Sequence, residues 1–294
     1  MFAAPFDYYR AGSIDEAQQL LRRHPGSKLL AGGHSLIPLM KMRLAMPSAV
    51  VDIGRIAELK GISVNGAALR IGALTTHTEL ASSAALRASC PLLADAAGVI
   101  GDAQVRNVGT IGGNIAHADP ASDLPTVLLA LEATIHAVGP KGERTIRVVD
   151  FFQGMMTTAL EPDEILTAID VPAMRPGEGT AYVKFAHPAS RYAVIGAAAV
   201  VAQSGGTCTA ARVAIGGLLP AAKRCPAVER AIETQRISPD SVSRAAREVG
   251  TMLNDMRDDV MGDIFASAAY RVAMAPVYVG RALTSASDAA GRAA

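Results

Sequence analysis

At 294 residues, half of them hydrophobic, the chain has material for one large packed domain or two to three small ones. A formal net charge of +1, no Trp and 4% aromatic residues argue against the basic stripe and base-stacking platforms of a nucleic-acid binder. Three scattered cysteines, Cys90, Cys208 and Cys225, are too few for an iron–sulfur cluster, which takes about four clustered thiolates, or for a disulfide framework, and they fit a reducing compartment.

The opening Met1-Phe2-Ala3-Ala4-Pro5-Phe6-Asp7-Tyr8-Tyr9-Arg10 lacks the basic start and apolar run of a secretory signal, so a cytoplasmic location is expected. Ser13-Ile14-Asp15-Glu16 has capping-box spacing, and Ala17, Leu20 and Leu21 behind it predict an amphipathic helix ending near Pro25-Gly26. Short strands are predicted at Lys28-Leu29-Leu30 and at Val50-Val51-Asp52-Ile53, which makes the first sixty or so residues a small α/β unit. A strand follows at 69–73, a helix at 92–100 begun by Pro91, and an apolar helix from Asp123 to Leu131 with Asp123 as its N-cap. Further strands are predicted over 134–138, 145–149 and 165–171, giving an α+β middle segment. Met174-Arg175-Pro176-Gly177-Glu178-Gly179 reads as a linker. Beyond it come strands over 181–185, 193–203 and 207–215, with a turn at Ser204-Gly205-Gly206. The apolar run over 193–202 is too short to span a bilayer, so no membrane span is expected. Ala-rich helices are predicted over 227–234, 241–253 and 266–283, and the small, polar tail 285–294 reads as frayed.

Two glycine-centred segments interrupt this pattern: Ala31-Gly32-Gly33-His34-Ser35 just after a strand, and Thr110-Ile111-Gly112-Gly113-Asn114. Paired glycines permit unusual backbone angles and close approach of a ligand. Consecutive N–H groups can then hold an anion without a lysine. Neither segment is a Walker A or a Gly-x-Gly-x-x-Gly fingerprint. Two such loops predict a ligand with two linked phosphates clamped from both sides, which is the chemistry of a dinucleotide.

The longer strings Ala31-Gly32-Gly33-His34-Ser35-Leu36-Ile37-Pro38-Leu39-Met40-Lys41 and Arg106-Asn107-Val108-Gly109-Thr110-Ile111-Gly112-Gly113-Asn114 closely resemble the FAD-binding medium subunit of the carbon monoxide dehydrogenase and xanthine dehydrogenase family of molybdenum hydroxylases. The resemblance covers nearly the whole chain, including Phe6-Asp7-Tyr8, Asp119-Pro120-Ala121-Ser122-Asp123-Leu124-Pro125 and Asp163-Glu164-Ile165-Leu166. It implies an α+β fold: a two-subdomain FAD-binding region, 1–176, made of a small α/β unit (about 1–58) and an α+β unit with a mainly antiparallel sheet (59–176). A C-terminal α+β domain of antiparallel strands and helices, 177–294, follows. The family's two Gly-Gly loops hold the FAD pyrophosphate, which implies cofactor contacts from Ala31, Gly32, Gly33, His34, Ser35 and Leu36, and from Thr110, Ile111, Gly112, Gly113 and Asn114. Ser35, Thr110 and Asn114 would add side-chain hydrogen bonds. Asp123 matches a position that contacts the ribityl–phosphate part, and Ile100 and Leu166 match apolar positions beside the ring or the adenine. Lys184 and Tyr192 match positions facing the isoalloxazine. Where many relatives carry a basic run after Lys184, this chain has Phe185-Ala186-His187-Pro188-Ala189-Ser190-Arg191, which bears on how the flavin face is screened and which acceptor it serves.

The expected function is that of an FAD electron-transfer subunit, with the molybdenum–pterin centre on a large partner subunit and two [2Fe–2S] clusters on a small one, assembled as a dimer of heterotrimers, a heterohexamer. A self-contained FAD oxidoreductase and a non-catalytic assembly subunit are the alternatives. No acid, base or nucleophile stands out as catalytic, and the six histidines have no metal-ligand spacing, so no metal is expected in this chain. His34 reads as a loop residue, Met40, Met42 and Met46 as an apolar wall, Lys41 and Arg43 as phosphate neighbours or solvated charges, and Arg106 with Asn107 as braces of the second loop.

Overall fold

A computed structural model describes residues 2–293. The first unit is a three-stranded parallel sheet in the order β1-β3-β2. Its elements are β1 (Asp7–Arg10), α1 (Ile14–Arg23), β2 (Lys28–Leu30), α2 (Leu36–Lys41) and β3 (Ala49–Asp52). Ser13 caps α1 by accepting from the Glu16 N–H (3.2 Å). The Glu16 carboxylate reaches one residue further than a reciprocal box would, accepting from the Gly12 N–H (2.7 Å). Ala17, Leu20 and Leu21 bury the apolar stripe of α1 against Val51, Ile53 and Ile56.

The second unit is a five-stranded antiparallel sheet in the order β4-β5-β10-β6-β7. After β4 (Ile62–Asn65) and β5 (Ala68–Gly72) the chain makes α3 (His77–Ser82), α4 (Ala84–Ser89), α5 (Pro91–Gly98), α6 (Ala103–Val108), α7 (Ile111–His117) and α8 (Asp123–Leu131). It returns through β6 (Thr134–Gly139), β7 (Gly142–Arg147), the short α9 (Val148–Phe151), the small ribbon of β8 (Phe152–Gly154) and β9 (Thr157–Thr158), and β10 (Ile165–Pro172). Six helices lie between two strands of this sheet, and α7 and α8 pack on its central strand β10.

The third unit is a four-stranded antiparallel sheet, β11 (Glu178–Ala186), β12 (Ala193–Ser204), β13 (Thr207–Gly216) and β14 (Lys223–Arg224), in that order. Gly205 and Gly206 take φ of +57° and +77°, as a tight two-residue hairpin requires. Residues 193–201 of β12 are all buried, because α8 covers one face and the C-terminal helices the other. That double cover explains an apolar run with no alternation. The helices are α10 (Pro226–Ile232), α11 (Pro239–Asp255) and α12 (Ala268–Ala293).

Two expectations are corrected. The tail is not frayed: α12 continues to Ala293, with Ala286, Ser287 and Ala290 buried. Gly179 lets it do so, since a Cβ there would land on the backbone of Ala286 and Ala290. Ala294 lies outside the described residues. The 174–179 stretch is a tethered turn rather than a loose linker. Met174 N–H donates to Ser89 O (2.7 Å), Arg175 N–H donates to Glu178 (2.8 Å), and buried Glu178 accepts from Arg212 (2.9 Å). The middle core also runs on into Ala198, Val200 and Ala214 of the third sheet.

Candidate cofactor site

The first glycine segment behaves as its sequence predicts. It leaves the end of β2 and enters α2 one residue after Ser35. Gly33 has a φ of +74°, a left-handed conformation that favours glycine. The N–H groups of Gly32, Gly33, His34 and Ser35 donate to no atom among the described residues. Ser35 makes no capping bond with its hydroxyl. Four consecutive open amides around a left-handed glycine form a concave donor row suited to phosphate oxygens. Gly32 presses against the turn before the second segment: a Cβ on it would overlap the Val108 carbonyl and sit 3.0 Å from the Gly109 Cα.

The second segment differs from the expected loop. Thr110 is the N-cap of α7, and the glycine pair forms the helix's first turn. Its amides are taken: Ile111 donates to Thr75 O (3.0 Å), Gly112 to Ala73 O (2.8 Å) and Asn114 to Thr110 O (3.0 Å). Gly113 N–H donates to Thr110 Oγ1 (3.2 Å). The second half of the predicted amide clamp is therefore absent. Gly112 is glycine for packing, because a Cβ would lie 2.7 Å from Ala73 O. What the segment offers a ligand is the exposed backbone of Gly113, whose Cβ position is 3.7 Å from the Ala31 Cβ, and the Asn114 side chain. The Ser122 hydroxyl donates to Asn114 Oδ1 (2.7 Å), which leaves the Asn114 NH2 free to donate.

Asp123 is not an N-cap. Ser122 occupies that position, and Asp123 is the first residue of α8. Its carboxylate accepts from Tyr182 OH (2.6 Å) and pairs with Lys184 Nζ (2.9 Å), with both charged side chains almost fully buried (4% and 7% exposed). Burial pushes the Asp123 carboxyl up, while the Lys184 ammonium and the Tyr182 hydroxyl pull it back. Burial and Asp123 hold the Tyr182 phenol well above its usual range. Lys184 also donates to Val99 O (3.2 Å), so β11, α8 and the end of α5 meet at one ammonium. Next to Val99, Ile100 is buried, and its carbonyl accepts from Arg106 (2.8 Å). Arg106 thus braces the 100–101 turn rather than the second glycine segment. Tyr192 is 44% exposed, and its hydroxyl is pushed up by burial and by Asp119 and Asp123; the next residue, Ala193, donates its N–H to Ala121 O (3.0 Å), which sets Tyr192 beside the turn before Asp123.

The structure therefore brings Ala31, Gly32, Gly33, Gly113 and Asn114 into one group, and Ile100, Asp123, Lys184 and Tyr192 into another. His77 packs beside the first group. Its N–H donates to Gly109 O (2.9 Å), its ring packs on Gly109, and its Nδ1 is buried without a partner among the described residues. Burial first, then the charges of His34 and Arg106, pull its pKa down to about 4. The only sequence signal near it is the Thr76-to-Glu79 capping box that starts α3. Ile111 and Leu166 belong to the buried middle core, and Leu36 is half-buried. Met40 is buried, but Met42 and Met46 are 53% and 68% exposed, so no methionine wall forms. Lys41 and Arg43 are exposed.

A cavity of about 400 Å³ lies elsewhere, between Pro91 and Asp95 of α5, the β11 edge and Ser285 and Arg292 of α12. Among the described residues, no group of three His, Cys, Asp or Glu could hold a metal, and no helix is long and apolar enough to cross a membrane. The donor set fits FAD: open amides and hydroxyl or amide side chains for the pyrophosphate, and beyond them a buried ammonium with an aromatic ring.

Comparison with known proteins bears on this geometry. The family described as the FAD binding domain in molybdopterin dehydrogenase matches residues 4–174. The CO dehydrogenase flavoprotein C-terminal domain matches residues 180–286. The chain is 40% identical to the carbon monoxide dehydrogenase medium chain of Hydrogenophaga pseudoflava, over 97% of this chain and 98% of that one. It is 37% identical to the glyceraldehyde dehydrogenase medium chain of Sulfolobus acidocaldarius, over 88% and 92% of the two chains. A solved structure of the carbon monoxide dehydrogenase from Hydrogenophaga pseudoflava, lacking the Mo-pyranopterin moiety of its cofactor, superposes with a TM-score of 0.93 at 41% identity, covering 97% of this chain and 98% of that one.

Proposed function

The chain belongs to the FAD-binding flavoprotein family of the molybdopterin dehydrogenases, and we propose that it is the electron-transfer subunit of a multi-subunit molybdenum hydroxylase. In this reading a small partner subunit carries the [2Fe–2S] clusters, a large one carries the molybdenum–pterin centre, and the assembly is a dimer of heterotrimers. FAD bound to this chain supplies the redox chemistry that connects the clusters to an external acceptor.

The observation that carries the reading is the row of open amides at Gly32, Gly33, His34 and Ser35. These groups hold the phosphate oxygens, helped by the Ser35 and Thr110 hydroxyls and the Asn114 amide. Gly32 against the Val108 carbonyl and Gly113 beside Ala31 keep the two segments close enough to share one ligand, and Gly112 seats the second on Ala73. Asp123 holds Lys184 as a desolvated cation, whose field is strong in a low-dielectric setting and favours negative charge nearby. Ile100 and, from the core behind it, Leu166 form the apolar backing of the site, and Tyr192 covers the ring. The division into 1–176 and 177–294, with subdomains 1–58 and 59–176, is part of the same proposal. So is a cytoplasmic location, to which three free, buried thiols are suited.

The test uses the whole complex. It is reduced with dithionite, freed of excess reductant and mixed with a soluble quinone while cluster absorbance is followed. Removing FAD is expected to slow cluster reoxidation at least tenfold, with recovery on adding FAD back. Equal rates with and without FAD would overturn the assigned route.

A further inference from the structure

Residues 187–192 form a closed turn built around one imidazole. β11 ends at Ala186 and β12 begins at Ala193, so residues 187–192 form the connection. His187 N–H donates to Tyr192 O (2.8 Å), and Arg191 N–H donates to His187 O (2.8 Å). Inside the turn, His187 Nδ1 accepts from the N–H groups of Ala189 (3.2 Å) and Ser190 (3.3 Å). The Tyr192 N–H donates to Ser190 Oγ (3.3 Å), and Arg191 has a φ of +60°. The outer edge of the imidazole packs on Phe265, with ring centroids 4.7 Å apart and planes at 61°. At the far end, Ala193 N–H donates to Ala121 O (3.0 Å), which ties the loop to the turn carrying Asp119 and Asp123.

We propose that His187 is the positioning residue for Tyr192: its neutral imidazole, accepting at Nδ1, holds the 187–192 loop closed and so fixes the ring on the candidate flavin face. The part concerning flavin rests on the function proposed above. An imidazolium has two N–H donors and no acceptor, so a proton on His187 removes both bonds that fold the turn. A charged group bearing on the ring is Asp263, whose Oδ2 is paired with Arg271 (2.6 Å).

Two variants of the full chain separate this role from plain packing. His187→Phe keeps an aromatic ring against Phe265 but has no acceptor, whereas His187→Asn keeps a short acceptor and cannot titrate. Amide hydrogen exchange at Ala189 and Ser190, corrected for intrinsic rates, is measured without FAD from pH 8 to pH 5. Visible circular dichroism of the FAD-loaded chain is followed over the same range. A proton on His187 is expected to lower protection about fivefold to tenfold, as losing two modest hydrogen bonds implies. The flavin dichroism should change in parallel. His187→Phe should lack protection at every pH, and His187→Asn should keep both protection and dichroism constant. Protection in His187→Phe equal to that of the wild type would overturn the proposal, as would a loop that opens without any change in the flavin signal. Failure of the wild type to bind FAD would overturn the reading of the site, while the exchange arm decides the hub role of His187 by itself.

Discussion

Burial keeps the imidazole of His77 neutral, with a pKa of about 4 where an imidazole in the unfolded chain has about 6.5. The unfolded chain therefore takes up this proton first as pH falls. The stability His77 contributes is fully present above about pH 6.5 and is lost progressively toward pH 4, about 3 kcal/mol in all. Urea unfolding at pH 7 and pH 4.5 should show that loss in the wild type and a smaller one in His77→Phe. The Asp123–Lys184 pair gives a second prediction at this scale. Removing only the carboxylate, as in Asp123→Leu, strands a buried ammonium and should cost about 3–5 kcal/mol by denaturant unfolding. Adding Lys184→Met should recover most of that cost. A helix cap at Asp123, the simplest reading of its sequence position, predicts a loss of about 1 kcal/mol and no rescue.

Among the elements, the two glycine pairs look alike in sequence and end in different structures. Gly33 needs its left-handed backbone, and the amides around it stay open. Gly112 instead lies where α7 crosses Ala73, a contact between segments nearly forty residues apart that no local pattern encodes. The last turns of α12 mislead for a similar reason. Alanine, serine and glycine read as a weak, polar tail, yet their small size is what lets α12 lie on Gly179. Gly179→Val should push that helix from the sheet and destabilise the chain by about 3 kcal/mol in chemical unfolding. A frayed tail would leave stability within a few tenths. Strands and amphipathic helices were legible because their periodicity is local: α1, β10 and β12 start within a residue of where the pattern places them. The ion pair of Asp123 was not legible, since its partner Lys184 is 61 positions away.

For the molecule as a whole, the three sheets are joined by shared packing more than by chain connectivity. The middle core continues through α8 into β12 and β13. Arg212 and Arg224 reach Glu132, at the end of α8, from the third sheet. This continuity fixes Lys184, on β11, against Val99 and Asp123 of the middle unit, so the charged group and the amide row are held by one framework. The central claim is that FAD lies on the row Gly32, Gly33, His34 and Ser35, with the second glycine segment acting through the Thr110 and Asn114 side chains and the exposed backbone of Gly113. The direct measurement is amide hydrogen exchange of the full chain with and without saturating FAD. The account predicts that exchange at those four amides slows at least tenfold, while Ile111, Gly112 and Asn114, already bonded within the chain, change little. FAD that binds without protecting the 32–35 amides, or that fails to bind, would contradict it.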